Sequence, residues 1–231
     1  MVWDWLPEYG FRFVEGFWVT IQLFTLSLFF GFLLAIPIGL VQVSGPKWLG
    51  LLARGYCTLF RGTPLLIQLW LLYFGLGSLF PHFPALRESF LWPILIAAFP
   101  YAVVAFSLSV AAYEGHVMAG AFRSVPKDEL EAGRAFGMGR FTLLWRIWLP
   151  RAIQNVLPTL AGEAVLTLKS VPLASTITVF GVYGVGSIVR QETYLVYEPL
   201  LFVAFIYLCI TGVLVYLFGW LERRVPSESL K

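Results

Sequence analysis

Long stretches without charge alternate with short charged connections along this chain. Residues 16–46, 62–86, 89–113 and 199–221 contain no acidic or basic side chain when His82 is neutral. Residues 152–168 form a shorter apolar stretch that contains one acid. Because a helix needs about 20 apolar residues to cross the hydrocarbon core of a bilayer, the pattern predicts five membrane-spanning helices. We place them at about residues 16–43, 57–80, 90–113, 152–172 and 199–221.

The composition indicates an all-α integral membrane protein. Of the 231 residues, 59% are hydrophobic and 13% are charged, and the mean hydropathy is +0.80. A soluble domain of this length does not need so much apolar surface, so we predict one transmembrane domain over residues 1–231. Residues 170–189 are uncharged and rich in Ser, Thr, Gly and Val, and we interpret them as the end of the fourth span followed by a folded-back or extracytoplasmic segment. The first 15 residues mix aromatic and acidic side chains, and we expect them to lie on the outer leaflet.

The basic residues of the connections predict the orientation in the membrane. With the N-terminus outside, the cytoplasmic connections carry twelve bases and the outer segments carry three. The twelve are Lys47, Arg54, Arg61, Arg123, Lys127, Arg134, Arg140, Arg146, Arg151, Arg223, Arg224 and Lys231, and the three are Arg12, Arg87 and Arg190. We therefore expect a cytoplasmic C-terminus and a cytoplasmic loop at about residues 123–150, between the third and fourth spans. A sixth span would move the C-terminal bases outside and is disfavoured.

This loop is predicted to contain a short helix. Ser124 can cap its start, Pro126 suits a first turn, and acidic residues follow at the positive end of the helix. Gly137 and Gly139 are expected to end it. Gly133 and Gly137 are four residues apart, so on a helix they would share a face that a partner protein could approach closely. The alternative is an ordinary amphipathic helix that its glycines weaken.

Polar groups within the predicted spans are candidates for a solute pathway. Glu163 lies in the fourth span, where a charge costs several kcal/mol unless it faces a cavity or a partner. We expect it to bind the cationic part of a substrate, near Lys169 and Ser170. An internal Glu163–Lys169 ion pair or a protonated carboxyl is the alternative, and Lys169 can also extend to the interface.

The start of the second span has two interpretations. Pro64 interrupts backbone hydrogen bonding, so the freed carbonyls and Thr63 could line a pathway, or the proline could simply kink the helix. Gln68, one turn later, could be a pathway donor or a hydrogen bond between helices.

Other chemistry is not expected from this sequence. His82 and His116 are far apart and lack acidic or Cys neighbours at ligand spacing, so we predict no metal site. No serine has a His and an acid arranged for nucleophilic catalysis, and no phosphate-binding G-x-x-x-x-G-K-[ST] loop occurs. We predict no catalytic residue, no ATP hydrolysis by this chain, and packed thiols at Cys57 and Cys209.

Three motifs resemble one known family. Glu131-Ala132-Gly133, followed by Gly137 and by Ile147-x-Leu149-Pro150, resembles the E-A-A-x3-G-x9-I-x-L-P loop of the membrane subunits of ATP-binding-cassette importers, with Gly133 in place of the usual Ala. Residues 61–68 (RGTPLLIQ) look like the RGTPLL-x-Q segment of polar amino-acid permeases. Residues 168–176 are similar to the family's L-K-x-T-S-L-x-S segment, with Val171 and Pro172 in place of Thr-Ser.

The resemblance implies a multi-pass subunit of a bacterial cytoplasmic (inner) membrane. Two such subunits, identical or homologous, would form the pathway, and an extracytoplasmic solute-binding protein would deliver the solute. A dimer of cassette ATPases would bind ATP and magnesium, so no cofactor is expected in this chain and no nucleic acid as partner. The residues that would contact the ATPase are Leu130, Glu131, Ala132, Gly133 and Gly137.

The function that follows is ATP-driven, binding-protein-dependent import of amino acids by alternating access, with basic amino acids or opines as solutes. An ion-coupled secondary amino-acid transporter, with Glu163 as its proton site, is the alternative. A membrane scaffold or enzyme is the third class.

Overall fold

The computed structural model describes residues 3–224, and these residues contain helices and no strand. Lys231, one of the bases used above to predict the orientation, lies outside the described residues. The helices are α1 (Leu6–Ser44), α2 (Lys47–Gly62), α3 (Leu65–His82), α4 (Pro84–Arg87), α5 (Trp92–Ile96), α6 (Ala98–Ser124), α7 (Lys127–Ala135), α8 (Arg140–Ile177), α9 (Val182–Thr193) and α10 (Tyr197–Arg224). Five of them, α1, α3, α6, α8 and α10, are long and apolar enough to cross a membrane. The predicted number of spans, five, is therefore confirmed within the described part of the chain, whereas the second of them begins at Leu65 rather than at residue 57.

Helices α1 and α6 form the centre of the bundle because small residues let their backbones approach closely. A Cβ placed on Gly39 of α1 would lie 2.7 Å from the Cβ of Met118 and 3.0 Å from the backbone nitrogen of Ala119. A Cβ on Gly115 of α6 would lie 2.7 Å from Ile38 Cγ2. Lipid tails are as apolar as leucine, so helices in a membrane associate through such packing more than through hydrophobic transfer.

Helix α6 extends further than the sequence pattern predicts. We ended the third span at residue 113 because Glu114 is the first charge after it, but α6 continues to Ser124. A single charge does not end a helix, since the backbone hydrogen bonds continue as long as no proline or glycine cap interrupts them. As a consequence Glu114 lies inside a membrane-spanning helix.

The N-terminal segment was also assigned incorrectly. Helix α1 begins at Leu6, and three of the aromatic side chains that we expected on the outer leaflet are buried within the chain, whereas Trp3 and Phe11 are exposed. Trp5, Tyr9 and Phe13 pack in one cluster with Val185 of α9 and Val203 of α10. The Tyr9 hydroxyl donates a hydrogen bond of 2.6 Å to Glu192 Oε2 of α9.

The uncharged segment after the fourth span folds back, in line with its interpretation as a non-spanning segment. The last part of α8, Val171–Ile177, is a 3₁₀ helix, and the chain then enters α9. The 12 residues of α9 extend about 18 Å at about 1.5 Å per residue. This length is too short to cross a hydrocarbon core of about 30 Å. The backbone N–H of Val182 donates to Thr20 Oγ1 at 3.0 Å, which fastens α9 to α1.

Candidate functional site

A cavity of about 330 Å³ lies between α6, α8 and the break between α2 and α3. Four of the five residues that we assigned to a solute pathway line it: Thr63, Glu163, Lys169 and Ser170. Residues far apart in sequence therefore meet at one polar space within the helix bundle. Apolar side chains such as Phe106 and Val110 form part of the wall.

Glu163 and Lys169 share this cavity without forming an ion pair. Among the described residues, the salt bridges are Arg12–Glu192 at 3.7 Å and Arg151–Glu129 at 2.9 Å. The internal pairing that was one alternative for Glu163 is thus not the observed geometry. Both charged groups remain directed to the same space.

The sequence analysis missed a second acid of this cavity. Glu114 of α6 lines it as well, and only 4% of its surface is exposed. Its Oε2 atom has no hydrogen-bond partner among the described residues. Extending the third span past its first charge would have found it, because Glu114 directly follows an uninterrupted run of 25 uncharged residues, 89–113.

Gln68 does not line the cavity but supports the break behind Thr63. Its Nε2 atom donates to the carbonyl of Phe60 at 2.7 Å, to the carbonyl of Thr63 at 3.0 Å and to Thr63 Oγ1 at 2.8 Å. The carbonyl of Phe60 loses its helical donor because Pro64, four residues later, has no N–H group. Gln68 thus supplies a donor where Pro64 has none, and its bond from α3 to the Phe60 carbonyl of α2 is a hydrogen bond between helices, one of the two interpretations given above.

The hydroxyl groups at the cavity are tied to their own helices. Ser170 donates to the carbonyl of Leu166 at 3.0 Å, and Thr63 donates to the carbonyl of Leu59 at 2.9 Å. Since each proton is used in this way, the oxygen of Ser170 faces its surroundings as an acceptor. Together with the two carboxylates it makes the cavity rich in acceptors.

A second candidate site is α7 in the predicted cytoplasmic loop. Helix α7 ends at Ala135, and Gly137 adopts φ +79°. The N–H of Met138 bonds to the carbonyl of Gly133 at 3.1 Å, and the N–H of Gly137 bonds to the carbonyl of Arg134 at 2.9 Å. This pair of bonds is the Schellman motif, which needs a residue with positive φ after the last helical turn. The predicted helix end at Gly137 is therefore observed with its physical cause.

Two details of the predicted loop helix are wrong. Ser124 does not cap α7, because it is the last residue of α6 and its hydroxyl donates to the carbonyl of Ala121 at 2.8 Å. Gly133 and Gly137 do not form a shared helix face, because Gly137 lies beyond the helix end. The space at Gly133 is filled by this chain: a Cβ there would lie 2.6 Å from Leu143 Cδ1 and 2.9 Å from Ile147 Cδ1.

The outward surface of α7 is formed by other residues. Glu131 and Ala132 are exposed, Leu130 packs partly buried against the core, and Phe136 at the helix end is 87% exposed. The salt bridge between Glu129 and Arg151 holds α7 against α8. The loop thus contains a short helix that packs against the fourth spanning segment.

Comparison with known proteins assigns the chain to a family. Residues 27–226 match the model of the binding-protein-dependent transport system inner membrane component. The chain belongs to this family. It is an inner-membrane transport component rather than an enzyme, and the resemblance drawn from the three motifs is confirmed.

Individual relatives cover nearly the whole chain. The octopine transport system permease protein OccM of Rhizobium radiobacter is 40% identical, over 93% of this chain and 86% of that protein. The histidine/lysine/arginine/ornithine transport system permease protein HisM of Escherichia coli K12 is 34% identical, over 95% of this chain and 93% of that protein. A solved amino acid ABC transporter with histidines is 30% identical and superimposes with a TM-score of 0.78, covering 97% of this chain and all of that one.

Proposed function

We propose that this chain is the permease subunit of an ATP-driven, binding-protein-dependent importer of basic amino acids or opines. The observation that carries the proposal is the cavity between α6 and α8, where Glu163 and Lys169 face one space without neutralising each other. The printed names of the relatives, which describe octopine and histidine, lysine, arginine or ornithine permeases, support the same solute class.

The chemistry of the cavity suits a zwitterionic solute with a cationic side chain. Glu163 would attract an ammonium or guanidinium group, and Lys169 would attract a carboxylate. The two residues are six positions apart on one helix, a rise of about 9 Å, which is close to the length of an extended arginine or lysine. Opposite charges a few ångströms apart at a protein surface attract more strongly than in bulk water, so a solute that pairs with both groups is favoured.

Helix α7 is proposed to be the cytoplasmic contact with the ATPase. Its support is the match to the importer loop and the exposure of Glu131 and Ala132 beside Phe136. Because Glu129 and Arg151 join α7 to α8, a push on α7 would be transmitted directly to the helix that carries Glu163. In this mechanism the N-terminus is outside and the C-terminus is cytoplasmic, ATP binding opens the cavity outward, and hydrolysis returns it inward.

The complete importer would contain further proteins. A second permease subunit, identical or homologous, would complete the pathway, a dimer of cassette ATPases would hold ATP and magnesium, and an extracytoplasmic binding protein would deliver the solute.

Co-purification tests the assembly. The chain is tagged at its C-terminus, extracted from its native membrane in mild detergent, and analysed for bound proteins. We expect a cassette ATPase in near-equal amount, lost in Gly137→Trp and retained in Gly139→Trp. A chain that purifies alone, yet moves solute in response to a proton gradient when reconstituted without ATP, would establish the secondary-transporter alternative instead.

Uptake tests the role of Glu163. Glu163→Gln should reduce ATP-driven uptake of labelled arginine at least tenfold while leaving assembly intact, because the cationic group loses its charged partner. Glu88→Gln, which changes an exposed acid away from the cavity, is the matched control. Unchanged uptake in Glu163→Gln would remove Glu163 from the solute site.

A further inference from the structure

Arg61 places a positive charge at the edge of the cavity. It lies in the last turn of α2, two residues before Thr63, which lines the cavity. Its guanidinium carbon lies 5.5 Å from the centre of the ring of Tyr113, which lines the cavity from α6. The Tyr113 hydroxyl also donates to the carbonyl of Arg61 at 3.5 Å. The end of α2 is thus joined to the cavity wall, and the charged side chain remains exposed.

The guanidinium of Arg61 is held only weakly in this position. The salt bridges of the described residues join other side chains, and a cation over an aromatic ring at an exposed site gains little free energy. Helix α2 ends at Gly62, where a Cβ would meet nothing within 4 Å, and Thr63 is extended. The side chain therefore has both the space and the freedom to move to a better partner.

Glu163 is the acid that Arg61 can reach. Arg61 acts electrostatically on Glu163, although the two groups form no salt bridge at the observed positions. Lys169 also lines the cavity and lies on the same helix as Glu163, but the base whose charge acts on Glu163 is Arg61. The nearest source of compensating charge is therefore on α2, across the cavity wall from α8.

A cavity with acidic walls needs positive charge after the solute has left it. Glu114 and Glu163 both line this cavity, and a carboxylate withdrawn from water is costly unless it is paired. While a cationic solute is bound, its charge offsets that cost. Once the solute leaves, an internal cation close to Glu163 lowers the cost of the unloaded state and so favours release.

We propose that Arg61 is an internal counter-ion of Glu163 and competes with the cationic group of the solute. Its guanidinium exchanges between the Tyr113 ring, where the structure shows it, and the carboxylate of Glu163, and a bound cationic solute holds it at the ring. This inference rests on the proposed function, because it takes Glu163 as the partner of the solute's cation. Arg61 thus lowers the affinity of the cavity for cationic solutes and leaves the affinity for neutral ones unaffected.

Binding of a charged and a neutral solute tests the competition. The permease is purified with its ATPase in nanodiscs, without the binding protein, and labelled arginine is displaced by unlabelled arginine or by citrulline, whose side chain is neutral. Arg61→Gln should bind arginine at least threefold more tightly and should change citrulline binding less than twofold. A threefold effect means that Arg61 occupies Glu163 for about two-thirds of the time, because the apparent Kd is the intrinsic Kd divided by the competent fraction.

Three further variants separate charge from structure. Arg61→Lys keeps the positive charge and should bind arginine within twofold of the unaltered complex. Arg54→Gln is the matched control, because Arg54 is an exposed base of the same helix whose Nε donates to its own backbone, to the carbonyl of Gly50 at 3.1 Å. In the Glu163→Gln background, adding Arg61→Gln should not tighten arginine binding, since no carboxylate is left for Arg61 to occupy.

The contrary results are distinct. If Arg61→Gln leaves arginine binding unchanged or weakens it, Arg61 does not compete and the inference is overturned while the proposed function stands. Equal tightening of arginine and citrulline would indicate a change in cavity shape, and tightening that persists with Glu163→Gln would indicate direct repulsion of the solute; either result overturns the inference. If the unaltered complex binds no arginine, the proposed function fails as well. Should Arg61→Gln not assemble, Arg61→Met carries the same prediction, and unchanged arginine binding there overturns the inference equally.

Discussion

Gly137 is the residue at which a small change should have the most informative effect. Its φ of +79° lies in the left-handed region, where an L side chain costs about 1–2 kcal/mol. A Cβ at this position would meet nothing within 4 Å, so the whole cost of Gly137→Ala comes from the backbone and none from a clash. The substitution therefore weakens the helix end of α7 and nothing else.

The expected result is faster local opening of the end of α7. The N–H groups of Gly137 and Met138 are held by the carbonyls of Arg134 and Gly133. Since 1.4 kcal/mol is a factor of ten in an equilibrium constant, a cost of about 1–2 kcal/mol predicts about 5- to 30-fold faster hydrogen exchange at these amides. Gly137→Asn should be milder, because Asn tolerates the left-handed region better than Ala does.

Hydrogen exchange measured by mass spectrometry on peptides that cover residues 130–140 provides the assay. Gly139→Ala is the matched control, because Gly139 has φ −64° and equally open space around it. If Gly137 and Gly139 variants exchange at the same rate, the Schellman motif does not hold this helix end and the reasoning is refuted. Measured on the same samples, ATP-driven uptake should fall in Gly137→Ala only, provided that α7 couples transport to the ATPase.

Three further substitutions test the packing and the loop. Gln68→Leu should lower the free energy of unfolding in detergent by about 1 kcal/mol, since it removes the donor to the partly buried carbonyl of Phe60, whereas the exposed Gln22→Leu should not. Equal thermal stability of the two variants would contradict the role given to Gln68. Gly39→Leu should prevent a monodisperse peak in size-exclusion chromatography, because backbone atoms of α6 block the new side chain, whereas Gly212→Leu meets open space and should not. Gly133→Ala should be tolerated, since only the flexible ends of two side chains must move, but Gly133→Leu should reduce uptake; normal uptake in the leucine variant would show that α7 does not need to rest on α8.

The distribution of apolar residues along the sequence was sufficient to predict how many helices span the membrane. The uncharged stretches predict five spanning helices because a bilayer demands apolar side chains over a fixed thickness and complete backbone hydrogen bonding within each segment. The positions of Glu163 and Lys169 within such a stretch identify a candidate site for the same reason. The local signal at Gly137 also predicts a helix end, since left-handed backbone favours glycine.

The charge pattern predicted the ends of the helices less accurately than the number of spans. The third span was cut at Glu114 and the first 15 residues were separated from α1, because a window without charge was equated with a helix. Residues 114–124 and 6–15 are helical in the structure, because backbone hydrogen bonding continues through a charged or aromatic residue whose side chain packs within the bundle. The burial of Tyr9 against Glu192 needs a partner 183 residues away, which no local pattern contains.

The tertiary structure alone decided what each polar residue does. Gln68 and Thr63 were equal candidates for the pathway, yet only Thr63 faces the cavity while Gln68 replaces the donor that Pro64 lacks. Gly133 was expected to admit a partner protein, yet Ile147 of the same chain occupies that space. The sequence shows which residues are polar and need a hydrogen-bond partner, and which are small and allow close packing. The neighbour that meets each need depends on the helix packing, because that packing brings distant segments of the chain into contact.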